Sequence, residues 1–186
     1  TDGNGVHFLS HKKQQVTRRF YHDVSDKEGI RSNSVYSLLV DDRGAVWVGH
    51  FQAGLDYSLY QNGLFRTYAY PPLFNSANLS IRSFISRGQE KVIGSRDGLF
   101  YINEATGMVK SFVKPVLTSD LILTISFYQG EYYIGTYGGG MMVLNPETLS
   151  LKYFSQSDTE LFQKGHIFCV KPDTCLLYTS PSPRDR

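Results

Sequence analysis

Along this chain, short runs of alternating apolar and polar positions are broken at regular intervals by Gly, Asn, Asp and Pro. VYSLLV at Val35–Val40, AVWVGHF at Ala45–Phe51, LDYSLY at Leu55–Tyr60 and LFRTYAY at Leu64–Tyr70 follow one another, with DDRG, QAG and QNG at the joins. Alternation in runs rich in β-branched and aromatic residues predicts strands, and the polar breaks predict the turns that pair them antiparallel. This is strand chemistry and not helix chemistry.

The unit recurs. Aligning the glycine that closes each apolar triplet superimposes WVG at Trp47–Gly49, VIG at Val92–Gly94 and YIG at Tyr133–Gly135, so that Gly49, Gly94 and Gly135 stand 45 and 41 residues apart. A second glycine follows each, Gly54, Gly98 and Gly140, and then the runs LDYSLY, LFYIN and MMVLN. A polar turn and an aromatic-rich run, LFRTYAY, MVKSFV or LKYFS, close each unit. TDGNGV at Thr1–Val6 parallels TYGGGM at Thr136–Met141, so the first unit is met part-way through; HIFCV at His166–Val170 parallels SVYSLLV and SIRSFI, so a further unit begins there.

Four-stranded units repeating every 40–45 residues or so are the signature of propeller blades. The reading is an all-β fold, a β-propeller fragment of four-stranded antiparallel blades, about three complete and others partial. Units are placed near 1–33, 34–79, 80–120 and 121–166, with a further one starting at 167–173. Gly49, Gly94 and Gly135 are expected where neighbouring blades crowd or a strand bulges, and Gly54, Gly98 and Gly140 where a turn needs positive φ. Trp47 takes the position of Val92 and Tyr133 and is expected to fill space between blades, not to bind a ligand.

The stretch SVYSLLVDDRGAVWVGHFQAGLDY, preceded by GIRSN, resembles the two-component regulator propeller repeat, in which an apolar strand leads to Asp-x-x-Gly, Trp-Ile-Gly-Thr and Gly-Gly-Leu. The other copies depart from it: SRGQEKVIGSRDGL has Val92 for the Trp and no Asp-x-x-Gly, and YQGEYYIGTYGGGM has Tyr133 there. The resemblance implies the periplasmic sensor region of a bacterial hybrid two-component sensor histidine kinase, part of an inner-membrane protein, many members of which respond to oligosaccharides. It also implies as partners a small-molecule or oligosaccharide ligand, further blades, downstream sensor-kinase domains and a possible homodimer. After Asp173 the chain runs TCLLYTSPSPRDR, dense in Ser and Pro and out of repeat register. Residues 174–186 resemble translated sequencing-adapter sequence and are set aside as a non-native or disordered tail.

Composition narrows the rest. With 41% hydrophobic and 14% aromatic residues, the 186-residue chain can bury a core. Its net charge of +2, from 19 basic and 17 acidic residues without runs, leaves no footprint for nucleic acid or an anionic membrane. No apolar run approaches the roughly 18 residues of a membrane span, and no signal segment opens the chain. Cys169 and Cys175 form no disulfide framework and read as buried or incidental thiols. His7, His11, His22, His50 and His166 show no H-E-x-x-H spacing, and neither a Gly-x-Ser-x-Gly nor a Cys-x-x-Cys occurs. Gly138–Gly140 is not followed by Lys-Ser or Lys-Thr and reads as a tight turn, not a phosphate loop. Tyr21–Asp23 ends a blade, and the Asn78-Leu79-Ser80 sequon is attributed to chance. The expectation is a segment without catalytic chemistry, metal or cofactor.

Loops after the second and fourth strands share one face of a propeller, where ligands bind near the axis. The first set offers Asp2, Asn4, His50, Phe51, Gln52, Arg96, Asp97 and Tyr137; the second offers Arg31, Asn33, Phe74, Asn75, Ser119, Asp120, Lys164 and His166. Aromatic faces stack on the CH face of a sugar while polar edges fix its hydroxyls. The ligand-binding expectation rests on His50, Phe51, Gln52, Arg96, Asp97 and Tyr137, with Phe51 and Tyr137 stacking and the others hydrogen bonding. The sequence thus reads as an extracytoplasmic, glycan-sensing propeller segment of a hybrid sensor kinase. A protein-interaction platform or a lyase-type enzyme is the other reading, since fold alone does not choose between them.

Overall fold

The computed structural model describes residues 3–26, 29–59, 65–68, 79–154, 164–172 and 177–180. The expectations for Asp2, Phe74, Asn75, Asn78 and Cys175 lie outside the described residues. Strand β1 (Val6–Ser10) pairs with β2 (Gln15–Phe20) in a hairpin. Three four-stranded antiparallel meanders follow: β3 (Val35–Val40), β4 (Ala45–His50), β5 (Leu55–Leu59) and β6 (Arg66–Thr67); β7 (Ile81–Arg87), β8 (Glu90–Ser95), β9 (Leu99–Asn103) and β10 (Met108–Phe112); β11 (Ile122–Tyr128), β12 (Glu131–Thr136), β13 (Met141–Asn145) and β14 (Ser150–Tyr153). A last hairpin joins β15 (Cys169–Pro172) to β16 (Leu177–Ser180). Four residues of the stretch set aside as a tail therefore pair with the strand before them. The architecture is all-β, with blades of four antiparallel strands and half-blades beside them.

The chain divides into two compact units, Thr1–Ile81 and Arg82–Arg186. In the first, Val6 on β1 packs with Ile30, Val35, Val46, Val48 and Phe65, and Phe8 and Phe20 lie against that cluster. In the second, Val92, Leu99, Tyr101 and Phe112 of one blade pack with Ile122, Ile125, Tyr132, Ile134, Met142 and Leu144 of the next. A smaller cluster, Met141, Ile167 and Val170, continues the stacking onto β15, with Tyr133 and Phe154 beside it.

Two repeated devices set the spacing of the blades. A Cβ at Gly94 would lie 2.5 Å from Ile122 Cγ2, and one at Gly135 would lie 2.7 Å from both Cγ2 and the carbonyl oxygen of Ile167. At Gly49 it would meet Ser37 Oγ and sit 3.0 Å from Ile81 Cγ2. In each case the neighbour is the first apolar residue of the following blade, so the absent side chain is what allows that residue to seat. The second device is a backbone bond from the turn glycine to the segment that leads into the next blade. Gly5 donates to the Asn33 carbonyl, Gly54 to Leu79 and Gly140 to Gly165, each at 3.0 Å. These three glycines have φ of 63°, 80° and 69°, a left-handed geometry that L side chains rarely adopt.

The first strand of the blade carries an irregularity at the same place in two copies, between Val35 and Ser37 and between Ile122 and Thr124. Tyr36 and Leu123 are the extra residues. A bulge of this kind turns one side chain out of the alternation and bends the strand.

Trp47 lies on the face of β4 that also carries Gly49. It is buried, stacked on Tyr57 at 5.2 Å and met edge-on by Tyr68 at 5.1 Å. Its Nε1 donates to Asp41 Oδ2 at 2.9 Å, while Asp41 Oδ1 accepts from Arg43 N and Ala45 N at 3.0 and 2.8 Å. Burial by itself would raise the Asp41 carboxyl, but the hydrogen bonds from Trp47, Ala45 and Arg43 outweigh it and hold the group below its ordinary value of 3.8. The Asp-x-x-Gly turn and the tryptophan are thus one hydrogen-bonded unit.

In the second unit Glu90 ties two blades together. Its carboxylate accepts from Tyr101 of its own blade at 2.5 Å and from Tyr132 of the next at 2.9 Å. Burial first, and the Glu90 carboxylate second, push the Tyr101 hydroxyl up to about 12 and that of Tyr132 upward as well.

Candidate functional site

The turns after the second strand of each blade carry the candidate residues, and the first residue after the crowding glycine is in every case turned inward. His50, Ser95 and Thr136 are all completely buried. Ser95 Oγ donates to the Gly98 carbonyl at 3.0 Å and Thr136 Oγ1 to the Gly140 carbonyl at 2.9 Å, so each hydroxyl closes its own turn. An imidazole cannot repeat that short bond. His50 Nε2 lies instead 2.9 Å from Asp56 Oδ2, which also accepts from Arg31 N at 2.8 Å. Strand register puts Asp56 where the sister blades hold Phe100 and Met142.

This corrects the expectation for His50. Its side chain is not offered to a ligand but engaged with Asp56 beneath the segment leading into β3. His50 Nδ1 and Asp56 Oδ1 are buried without a hydrogen-bond partner, an unusual state for polar atoms in a folded interior. Burial of a carboxylate and an imidazole in one blade, at two positions where the other blades need neither, is a local departure that repeat packing does not require.

The remaining candidates point elsewhere. Phe51 is half-buried, its ring 5.2 Å from that of Tyr36, and its N–H donates to the Ser34 carbonyl. Gln52 is exposed with a φ of 55°, and its N–H donates to Ser80 Oγ at 3.2 Å. Arg96 and Asp97 are exposed, the turn below them secured by a bond from Asp97 N to Ser95 Oγ at 2.9 Å. Tyr137 is exposed and stacks on His166 with ring centroids 3.9 Å apart. His50, Phe51 and Gln52 belong to the first compact unit and Arg96, Asp97 and Tyr137 to the second.

Of the second set of loops, Lys164 and the side chain of Arg31 are exposed, as is Asn4 of the first set. Several of the others hold the scaffold: Asn33 Oδ1 accepts from His22 N at 2.7 Å, Asp120 Oδ1 from Lys114 N at 2.7 Å, and Ser119 Oγ donates to the Tyr137 carbonyl at 2.8 Å. Two exposed aromatics were missed from sequence, Tyr36 and Phe168. Tyr36 is the extra residue of a bulge, and Phe168, directly after Ile167 and ahead of β15, takes the equivalent place in the sequence repeat. Simple alternation hides such a position because the bulge shifts it by one.

The described residues hold no group of three or more His, Cys, Asp or Glu placed to bind a metal ion. Nor, among them, is any helix long and apolar enough to cross a membrane. In each unit the turns after the second strand offer aromatic surface and hydrogen-bonding edges.

Comparison with known proteins agrees with this architecture. Residues 29–52 match the family model described as two component regulator propeller, so the chain carries a repeat of that kind around the Asp41–Trp47 unit. The extracellular domain of a protein described as a one component system from B. thetaiotaomicron is similar in structure, with a TM-score of 0.75 and 21% identity over 96% of this chain and 24% of that one. The extracellular domain of a hybrid two component system from the same organism aligns with a TM-score of 0.66 and 20% identity, over 93% of this chain and 26% of that one. The computationally designed Ika8 protein matches with a TM-score of 0.64 and 13% identity, over 97% of this chain and 50% of its own. The chain spans about a quarter of the two bacterial domains. No curated protein matches it.

Proposed function

We propose that this segment is part of an extracytoplasmic sensor, that it contributes to binding a glycan, and that it performs no chemistry itself. The observation that carries the reading is the regulator-propeller repeat at residues 29–52, joined to a fold shared with extracellular domains of bacterial signalling systems. The turns of each unit are consistent with it: Phe51 and Gln52 in the first, and Arg96, Asp97 and Tyr137 in the second, present aromatic and polar groups, and the inner positions of the same turns serve packing. Ligand occupancy would be relayed by a shift in how the propeller packs on its neighbours or on a dimer partner, toward a histidine kinase on the other side of the membrane. The periplasm is the compartment this reading requires.

Calorimetric titration of the complete extracytoplasmic region against an oligosaccharide panel tests the reading. Saturable binding of at least one saccharide is expected, together with a ligand-dependent change in signalling output. A folded region that binds no saccharide, but captures a protein partner or turns over a polysaccharide, would replace glycan sensing by the platform or lyase reading.

A further inference from the structure

Comparing the blades separates what packing demands from what it does not. Two positions on the turn side vary without harm to the sheet: the second residue after the crowding glycine, which is Phe51, Arg96 or Tyr137, and the residue after the first apolar position of each blade, which is Tyr36, Arg82, Leu123 or Phe168. Since cations and leucine serve there, the fold has no need of aromatic rings. Yet aromatics occupy both positions in one blade, Tyr36 with Phe51, and again where the last complete blade meets the next, Tyr137 with Phe168.

At that second place the rings are joined. Tyr137 lies on His166 with an interplanar angle of 25°, and the His166 ring meets Phe168 edge-on at 6.4 Å. Tyr137 and Phe168 are 48% and 44% exposed, so much of their apolar surface faces outward and contributes nothing to the core. The backbone under them is firmly tied. Tyr137 N donates to the Leu121 carbonyl at 2.9 Å, and Gly140 N to Gly165 and Ile167 N to Thr136 at 3.0 Å. At Gly138, whose φ is 76°, a Cβ would stand in ordinary contact with the imidazole, 3.5 Å from His166 Cε1, so the turn backbone runs close beside that ring.

We infer that Tyr137, backed on one face by His166 and flanked by Phe168, forms a stacking platform whose free face receives the apolar face of a pyranose ring. The inference rests on the glycan-sensing reading and adds the place and geometry of contact. The exposed face of one tyrosine ring can stack on one hexose ring, with the tyrosine hydroxyl at its rim able to donate to or accept from a sugar hydroxyl. Because the rings are already held in position, little conformational entropy is lost when the sugar arrives. Part of this platform was legible in sequence as Tyr137 and His166; Phe168 and the stacking that joins the three came from the fold.

The test uses the complete extracytoplasmic region with cellobiose, maltose, mannobiose and N,N′-diacetylchitobiose as probes, read by calorimetry and by aromatic carbon–proton NMR. For any disaccharide that binds, Tyr137→Ala and Phe168→Ala are expected to weaken affinity by roughly tenfold or more. Tyr137→Trp should retain it, and Tyr153→Ala, an exposed tyrosine on β14, should not change it. Ring signals of Tyr137, His166 and Phe168 should shift on titration. Saccharide binding that survives both alanine variants, with those ring signals unmoved, overturns the platform and leaves glycan sensing standing. No binding of any saccharide removes both. Ring shifts caused by a nucleoside and by none of the sugars would overturn the ligand class.

Discussion

The blade β3–β6 and the blade β11–β14 have the same strand order and register, yet they bury different chemistry. In the second, Ile125 is 8% exposed and Phe127 packs onto the cluster formed with Val92 and Ile85 of the preceding blade. The matching residues of the first, Leu38 and Val40, are 56% and 65% exposed, although β1 packs over Val46 and Val48 beside them. A first strand therefore depends on the inner strands of the preceding blade for its burial. The comparison extends to the turn, where Thr136 and Met142 stand against His50 and Asp56, and to the middle of the second strand, where Tyr133 stands against Trp47. One blade uses small hydroxyls and apolar packing; the other uses a carboxylate twice, under the tryptophan and beside the histidine.

Substitutions that convert one blade toward the other measure these differences. The largest effect is expected from Trp47→Ala, which removes a buried indole and the hydrogen bond it donates to Asp41 Oδ2; a loss of about 3–5 kcal/mol is expected in chemical denaturation. A loss within about 0.5 kcal/mol, accompanied by abolished ligand response, would assign Trp47 to binding instead.

Asp56→Ala should cost roughly 3–5 kcal/mol, since the Arg31 N–H and His50 lose their shared acceptor inside the protein. The double change His50→Thr with Asp56→Met copies the sister blade and is expected to recover most of that loss, with about 1 kcal/mol remaining for the Arg31 N–H left without its acceptor. If the double variant is as unstable as the single one, the pair is not separable from the blade's packing and the comparison fails at this point.

Trp47→Phe keeps the aromatic surface and removes only the hydrogen bond to Asp41, for which about 1–3 kcal/mol is expected at neutral pH. The Asp41 carboxyl is held below 3.8 in the folded state, so its contribution is present above that value and is lost as pH falls through the lower folded value. The gap between wild type and Trp47→Phe should accordingly narrow under acid, in denaturation curves recorded from pH 7 downward. A gap that widened would mean that Asp41 is not the relevant partner.

The smallest effect is expected where burial is already missing. Leu38→Thr and Val40→Thr should each stay within about 0.5 kcal/mol of wild type when measured on this chain. A large loss would show that these side chains are covered in solution.

Much of this molecule was open to sequence reasoning because its information is local and repeated. Alternating runs, turn residues and the spacing of Gly49, Gly94 and Gly135 are properties of neighbouring residues, and a strand-and-turn meander follows from them alone. The aromatic turn positions Phe51 and Tyr137 were visible for the same reason. His50 was misplaced as a ligand contact because its neighbours in sequence are turn residues, while its actual partner, Asp56, sits on the facing strand and shares its carboxylate with Arg31. Tyr36 escaped because a bulge reverses the side to which a strand residue points, and Phe168 because it stands just ahead of its strand, outside the alternating run.

What the sequence by itself determined, then, was the repeating unit: four strands, their turns, and the places where only glycine leaves room for the first apolar residue of the next blade. What only the tertiary structure decided was the fate of individual polar and aromatic side chains. Whether a histidine closes a core or faces a ligand depends on an acceptor brought from another strand, and whether a leucine is buried depends on which strands stand in front of it. These are contacts between distant segments, and an alternating pattern carries no record of them.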